Sequence, residues 1–427
     1  DLADIFATAT SAGTVCGSGS PNYLTKWSAP ATLTSSIAYE SSTQLTVGGS
    51  ISSRGYCSDN NSNTFIGTSA LNNNTTGSYN TGIGQYALQC NTDCSNSTAV
   101  GYCALNRNNS HSNTAVGSCA LCGAGTITGC GNTAVGLIAQ RNIISGSGNV
   151  SVGAPTLTGL LYGSYNVAVG EAAVAGNSST SGLIGIGYGA LYVATGAYNT
   201  AVGHTSQCRT TTGTSNTSLG YQTLYHTTTG SCNVAIGHSA MCCNITGHGN
   251  TAIGCGALLT NKTGCYNIAL GQKALCSNTT GTYNIGVGGY ALAAMTTGCQ
   301  NVAMGGAALQ STVDTDFNTA VGYAALNTNT ADGNTGVGHS AMKSNTTGIG
   351  NVAMGMCTVG TNPAGGAHTG NYNTGIGRHA LAVNRIGCYN TALGSSTLIT
   401  NDAGCYNVAV GGSSLYYNTS GSYNNAM

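Results

Sequence analysis

The sequence predicts an all-β protein, a parallel β-solenoid in which every coil is one short repeat. The first observation is a five-residue frame, close to Asn-(Thr/Val/Ile)-small-(Val/Ile/Leu/Met)-Gly, which recurs 21 times between Asn63 and Gly411. The second is the spacing of the frame, which in most intervals is a period of about 17 residues. The third is composition, because the chain has 66 glycines and only 4 prolines in 427 residues. A fixed short period over most of a chain indicates coils that stack on one another.

Each repeat predicts one short strand. We number the coil from the frame's first residue, so that the consensus is N-T-A-V-G-x-x-A-L-x-x-N-T-T-G-x-Y, and Asn250–Gly254 occupies positions 1 to 5. Position 2 is β-branched and position 4 is aliphatic or Met in every copy, an alternation typical of a strand with both side chains on one face. We expect positions 2 and 4 to point into the coil, with the frequent Leu at position 9 as a second anchor.

Stacking of identical coils places like residues on like residues. Position 1 should form a ladder of Asn side-chain amides that hydrogen-bond from coil to coil. Gly at position 5 indicates a positive φ that a Cβ would oppose. Position 17 predicts a partial tyrosine ladder at Tyr266, Tyr283, Tyr372, Tyr389 and Tyr406.

Position 3 lies between the two predicted inward residues, so we expect it to point outward. It is nevertheless small in every copy except the first, which has Phe65. An outward ladder of small residues predicts close approach of another surface along the rod. That surface is either the same ladder on partner chains around a three-fold axis or, alternatively, the rods join end to end in a filament.

Residues 1–62 lack the frame and are predicted to cap the solenoid or join it to something else. Residues 63–427 form the repeat array, in which Asn424–Met427 matches positions 1 to 4 of an incomplete last repeat.

Charge argues against several classes of partner. Only 5% of the residues are charged and the formal net charge is zero. This composition lacks the basic patch that nucleic acid or an anionic membrane surface requires. The chain also lacks an apolar run of the length that crosses a membrane, about 18 residues or more, so we expect no membrane insertion.

No arrangement of reactive residues indicates an enzyme, a cofactor or a metal site. Of the ten carboxylates only Asp314 and Asp316 lie close together, in a turn. The eight histidines are scattered, and the cysteines lack the paired CxxC spacing of a zinc site. We therefore expect no catalytic residue, no cofactor and no bound metal.

The 19 cysteines include residues of equal phase in neighbouring coils. Cys388 and Cys405, and likewise Cys103 and Cys119, are candidate disulfides, because the distance between coils suits the Cα separation of a bridge. Such bridges would indicate an oxidising, extracellular setting. The alternative is that cysteine simply replaces serine where a small residue fits.

Asn-x-Ser/Thr sequons fall repeatedly at position 12, in the turn. If that turn is exposed, these asparagines are candidate glycosylation sites: Asn74, Asn244, Asn261, Asn278, Asn345 and Asn418. The alternative is that Asn-Thr-Thr-Gly is favourable turn chemistry.

The segment Asn318–Leu326, Asn-Thr-Ala-Val-Gly-Tyr-Ala-Ala-Leu, resembles the repeats of trimeric β-roll fibres. These include the heads of YadA-like adhesins and the tail-fibre shafts of phages and large viruses. Ser20–Trp27, with the following Val47–Gly49, resembles the lead-in to such shafts. The resemblance implies a left-handed β-roll, three chains side by side, displayed at the cell surface, outside the cell or on a virion. The coil here is longer than the usual adhesin coil, and the coiled-coil stalk and membrane anchor of the adhesins are absent.

Together these patterns predict a non-enzymatic fibre shaft that assembles with copies of itself. The main alternative is an adhesin that binds glycans or a receptor through exposed turns or tyrosines. An ice-binding solenoid would present a flat threonine array, which the predicted inward direction of position 2 disfavours.

Overall fold

The computed structural model describes residues 61–427 except 124, 177–178 and 361–365, and before them the backbone of four strands. β1 to β3 form a separate antiparallel sheet in the order β1-β2-β3. The strands are β1 (Tyr23–Ser28), β2 (Thr32–Ser41), β3 (Gln44–Val47), β4 (Tyr56–Ser58), β5 (Thr64–Ile66), β6 (Thr81–Ile83), β7 (Thr98–Val100), β8 (Thr114–Val116), β9 (Thr133–Val135), β10 (Val150–Val152), β11 (Val167–Val169), β12 (Ile184–Ile186), β13 (Thr200–Val202), β14 (Thr217–Leu219), β15 (Val234–Ile236), β16 (Thr251–Ile253), β17 (Ile268–Leu270), β18 (Ile285–Val287), β19 (Val302–Met304), β20 (Thr319–Val321), β21 (Thr335–Val337), β22 (Val352–Met354), β23 (Thr374–Ile376), β24 (Thr391–Leu393), β25 (Val408–Val410) and β26 (Asn425–Ala426).

The predicted parallel β-solenoid is confirmed. β5 to β26 pair in chain order, each parallel to the next and in register, so that position 2 lies beside position 2. The register survives changes in coil length, because Thr114 pairs with Thr133 across a coil of 19 residues and Val352 pairs with Thr374 across a coil of 22 residues. The extra residues are therefore absorbed outside the strand.

The predicted direction of the strand side chains is wrong. Position 3 points into the coil, as Ala252 shows with no exposed surface, whereas the position 4 neighbour Ile253 is 40% exposed. The same pattern of a buried middle residue between two more exposed ones holds from β6 to β25. The position 9 leucines are buried as predicted except Leu415, which is partly buried, and a row of alanines at position 8, which was not predicted, completes the core.

The coil is too narrow for a large side chain at position 3. This position packs on the position 9 residue of the preceding coil, and a Cβ added to Gly286 would lie 3.4 Å from Cγ of Leu275. At Gly185 an added Cβ would lie only 2.7 Å from Cγ2 of Val174. Space for one methyl group, rather than a neighbouring chain, therefore explains why position 3 is small.

The predicted ladder of asparagines at position 1 is confirmed and is buried. Oδ1 of Asn250 accepts the backbone N–H of Asn267 at 2.9 Å, and Nδ2 of Asn267 donates to the carbonyl of Gly281 at 2.8 Å. Ser97 and Leu183 replace asparagine in two coils. A second ladder occupies position 12 in segments of the rod, where Nδ2 of Asn261 donates to Oδ1 of Asn244 at 2.8 Å. These buried amides are hydrogen-bonded, which removes most of the cost of burying them.

Backbone conformation turns the chain at four places in nearly every coil. Gly254 at position 5 has φ +135°, and a Cβ there would lie 2.5 Å from the carbonyl oxygen of Gly271 in the next coil, which confirms the expectation for this position. Positions 7, 9 and 17 also have positive φ although most are not glycine, as in Lys273, Leu258 and Tyr266. Nothing in the side-chain pattern predicted these left-handed residues.

The two ends of the stack differ. β4 pairs antiparallel with β5, so the edge of the first coil is covered by an earlier segment of the chain. At the other end, β26 pairs parallel with β25. The proposed capping role of residues 1–62 lies mostly outside the described residues and stays a prediction.

Candidate assembly surface

The outward side chains of positions 2 and 4 form one continuous surface, which we call the sheet face. It runs from β5 to β25, and none of its 21 pairs of side chains carries a charge. Large aliphatic members are well exposed, including Ile253, Met354 and Leu393. The sheet face is thus a long, uncharged and mostly apolar strip on the outside of the rod. Contiguous exposed apolar patches of this kind mark interaction surfaces.

Threonine is part of the same face. Thr64, Thr81, Thr98, Thr114 and Thr133 occupy position 2 in five successive coils and pair in register. Position 2 points outward, so the predicted inward direction that disfavoured an ice-binding array is wrong.

Aromatic rings stack in columns beside the strands. The predicted position 17 ladder is confirmed, since Tyr389 lies 5.1 Å from Tyr372 and 5.0 Å from Tyr406 between ring centroids. Tyr266 and Tyr283 stack likewise at 5.1 Å. In these columns neighbouring rings cover each other's faces, so they present ring edges and hydroxyl groups outward.

The two carboxylates that lie close together in sequence serve the stack. Oδ1 of Asp314 accepts hydrogen bonds from the hydroxyls of Thr296 and Thr297, which hold the pKa of Asp314 below its usual value. Oδ1 of Asp316 accepts the backbone N–H of Cys299 at 2.7 Å. Each carboxylate is an acceptor between coils, and the arrangement does not pair them as an acid and a base.

Several cysteines lie at position 16, where the side chain accepts a hydrogen bond from the neighbouring coil. A side-chain acceptor at this position receives the backbone N–H of position 16 in the preceding coil, as when Ser95 Oγ accepts from Ser78 at 3.0 Å. Cys405 does the same for Cys388, with its Sγ 3.2 Å from the Cys388 nitrogen. This geometry favours the interpretation that cysteine replaces serine here.

The four cysteines proposed to form bridges are free thiols in the structure. Cys103 and Cys119 occupy position 7 of adjacent coils, both with φ +53°. Pairing of Cys388 with Cys405, and of Cys103 with Cys119, stays a prediction that peptide mapping of unreduced protein can test.

The expectation that the sequon asparagines are exposed is wrong for four of the six. Asn244, Asn261, Asn278 and Asn345 are buried in the position 12 ladder, and Nδ2 of each donates to a carbonyl of its own coil. The Nδ2 atom is the one that would carry a glycan, so attachment would break the ladder. Asn74 and Asn418, nearer the two ends of the stack, are only partly buried.

Other sites are sparse. Within the residues that the structure describes, no three histidine, cysteine or acidic side chains are grouped so that they could hold a metal ion. The same residues contain no helix long and apolar enough to cross a membrane. The sheet face is thus the most extensive candidate surface for function.

Comparison of this chain with protein-family models, with curated proteins and with solved structures gave no match.

Proposed function

We propose that this protein is a non-enzymatic structural shaft of an extracellular or virion fibre. The observation that carries the proposal is the in-register stack, in which strand pairing continues without a change of register and the position 1 asparagine ladder runs through nearly every coil. Such a stack grows in one dimension and is held by each coil's contacts with its neighbours. The resemblance to trimeric β-roll fibres supports the same proposal.

The sheet face is the surface through which copies of the chain associate side by side. It offers two uncharged side chains from each of 21 coils, against the roughly 20–30 residues that a standard interface uses on each side. An apolar strip of this length gains by removal from water. A second copy carries the same strip with the same spacing, and three copies around a common axis bury all three strips.

Sedimentation of a charged sheet-face variant tests the proposal. Ile236→Asp with Ile253→Asp places two carboxylates on the sheet face of adjacent coils, where burial against a partner leaves them unpaired. We expect the wild-type chain to sediment as a trimer or a larger assembly and the variant as a monomer with an unchanged circular dichroism spectrum. Thr263→Asp, on an exposed turn, is the matched control and should assemble normally.

Two results oppose the proposal. If the wild-type chain stays monomeric at high concentration, lateral association is ruled out. If the double variant assembles like the control, the interface does not include the sheet face at Ile236 and Ile253. End-to-end growth is distinguished by electron microscopy, since it gives filaments one coil stack in width.

An adhesin that binds glycans is the second candidate. Tyr79, Tyr165 and Tyr198 at position 17 are the observation that favours it, because they are about 70% exposed and tyrosine suits contacts that are apolar on one side and wet on the other. Binding of the assembled fibre to a glycan array, lost in Tyr165→Ala with Tyr198→Ala, would establish this activity.

The outward threonine ladder supports a third test. Thermal hysteresis measured on the wild-type chain decides whether the five aligned threonines bind ice. No hysteresis at millimolar protein leaves the sheet face to self-association.

A further inference from the structure

The hydrophobic core of the rod is divided into two parts. One cluster of buried apolar residues runs from Leu71 to Ala201, and the other runs from Leu224 to Ala409. The stretch between Ala201 and Leu224 is fully described and contains no buried apolar side chain. Strand pairing nevertheless continues across this stretch without a change of register.

Polar side chains fill the core at the division. Ser206 and Gln207 replace the usual Ala and Leu of positions 8 and 9, and Ser218 and Thr223 replace two alanines in the next coil. We call these four residues, with Thr210 and Thr227 at position 12, the polar seam. All six are buried.

Hydrogen bonds satisfy the polar seam only in part. Oγ of Ser206 lies 2.5 Å from Oγ of Ser218 and 2.7 Å from Oγ1 of Thr223, and Nε2 of Gln207 donates to Oγ of Ser218 at 2.8 Å. Oε1 of Gln207 and the hydroxyls of Thr210 and Thr227 have no hydrogen-bond partner. Buried polar atoms without partners weaken the stack at this point.

A second site in the rod provides an internal control. Gln140, Ser151 and Thr156 occupy the same three positions as Gln207, Ser218 and Thr223. There the neighbouring Ala139 remains apolar, as do Ile143 and Leu160 at position 12, and the core cluster continues through the site. Three polar residues at these positions therefore do not divide the core, whereas the six residues of the polar seam do.

An aromatic column lies outside the same coils. Tyr188, His204, Tyr221 and His238 at position 6 stack with ring centroids 5.0, 5.5 and 5.2 Å apart. Contacts between rings add stability beyond the burial of their area. The column joins the coils on both sides of the polar seam, where the core between them is weakest.

We propose that the polar seam divides the rod into two folding units and is the place where the rod opens first, with the position 6 column holding the units together from outside. In a stack whose stability is the sum of contacts between neighbours, one weak contact localises opening. This inference concerns the single chain and holds whether or not the chain forms a fibre.

Hydrogen–deuterium exchange of the full chain, read by mass spectrometry, tests the division. Backbone amides of residues 200–230 should exchange about tenfold faster than those of residues 250–300. Opening at residues 200–230 exposes less buried apolar surface and therefore costs less free energy. Residues 133–160, around Gln140, should exchange like the rest of the rod. Equal exchange through all three stretches would overturn the proposal.

A repaired variant sharpens the test. Ser206→Ala, Gln207→Leu, Ser218→Ala and Thr223→Ala together restore the consensus core, and they should remove the fast exchange at residues 200–230. The matched control is Gln140→Leu with Ser151→Ala and Thr156→Ala, which should leave that fast exchange in place. A repaired variant that exchanges like the wild type contradicts the inference.

The outer column has its own test. Tyr221→Ala should speed exchange at residues 200–230 further, because it removes the ring between His204 and His238. Tyr323→Ala removes the stack on His339, 5.5 Å away by ring centroids, in coils with an apolar core, and should leave residues 200–230 unchanged. If both variants changed exchange at residues 200–230 equally, the position 6 column would not be what holds the two units together.

Discussion

Ala252 and Ile253 are neighbours in one strand and face opposite environments. The methyl group of Ala252 has no exposed surface, whereas the larger and more apolar Ile253 is well exposed on the sheet face. In the strands of most globular proteins, the larger apolar residue is the buried one. The difference shows that volume, rather than hydrophobicity, decides which side chain this narrow coil can enclose.

The position 1 asparagines extend the same lesson. A polar amide is buried in nearly every coil because its own coil and the neighbouring coils supply its hydrogen bonds. The apolar strip outside has no such partner in the part of the chain that the structure describes. A repetitive stack can therefore enclose polar ladders and leave apolar surface for other molecules.

The largest effect should come from a charge placed inside. Ala252→Glu puts a carboxylate where only a methyl group fits, and an unpaired buried charge added to overpacking should lower the free energy of unfolding by about 4 kcal/mol or more. Chemical denaturation monitored by circular dichroism measures this loss.

The matched change outside is Ile253→Glu in the monomeric chain. It should alter the free energy of unfolding by less than about 1 kcal/mol, since the side chain reaches water. If Ile253→Glu lowered the free energy of unfolding as much as Ala252→Glu does, the outward placement of position 4 would be wrong.

The second effect concerns the ladder. Asn267→Asp removes the two hydrogen bonds that Nδ2 donates and turns a carboxylate toward Oδ1 of Asn250 and the carbonyl of Gly281. We expect a loss of about 3 kcal/mol in the free energy of unfolding, because the charge is left without donors on that side. Asn72→Asp, at an exposed asparagine, is the control and should have little effect on the same denaturation curve.

The third effect is a dependence on acid. His368 is buried, its Nδ1 donates to the carbonyl of Asn384, and burial is the main cause that lowers its pKa. The folded state thus holds the neutral ring, so stability is present above the ordinary pKa of histidine and is lost as the pH falls through the lower folded value.

Thermal unfolding between neutral and acidic pH measures this dependence. His368→Gln should flatten it, whereas His339→Gln, on the outer surface, should not. An unchanged acid profile in His368→Gln would show that other groups cause the loss.

The smallest effect concerns reactivity and leaves stability unchanged. Burial, with the neighbouring Asp93, raises the pKa of the Cys94 thiol to about 11. Iodoacetamide at mildly alkaline pH should therefore label the exposed Cys130, Cys232 and Cys255 well before Cys94. Peptide mapping reports the order, and equal labelling of Cys94 contradicts the buried placement.

The repeat fixes much of the architecture. Spacing predicted the solenoid, the repeated Asn predicted the ladder, and the invariant Gly at position 5 predicted a positive φ. These features recur in nearly every coil, so stacking alone places them. The direction of the strand could not be obtained in this way, because alternation separates positions 2 and 4 from position 3 without saying which side is inside.

One sequence signal could have decided the direction. Position 3 is as small as position 8 and lies in the same coil as a buried leucine, which is the composition of a tightly filled interior rather than of a surface. The polar seam, by contrast, was visible as departures from the consensus at Ser206, Gln207, Ser218 and Thr223. Their joint effect on the core required the structure, because three of the four departures occur together around Gln140 without dividing the core.

The constant register has a consequence for how such rods change in length. Coils of 16, 17, 19 and 22 residues all bring the next strand into the same register with the strand of the preceding coil. Gain or loss of one whole repeat therefore leaves the pairing of every other coil intact and alters only the reach of the molecule. A gene with such repeats can lengthen or shorten its product by unequal recombination in steps of about 4.8 Å, the spacing of neighbouring strands. The number of repeats then acts as a measure of length that selection can adjust without redesigning the fold.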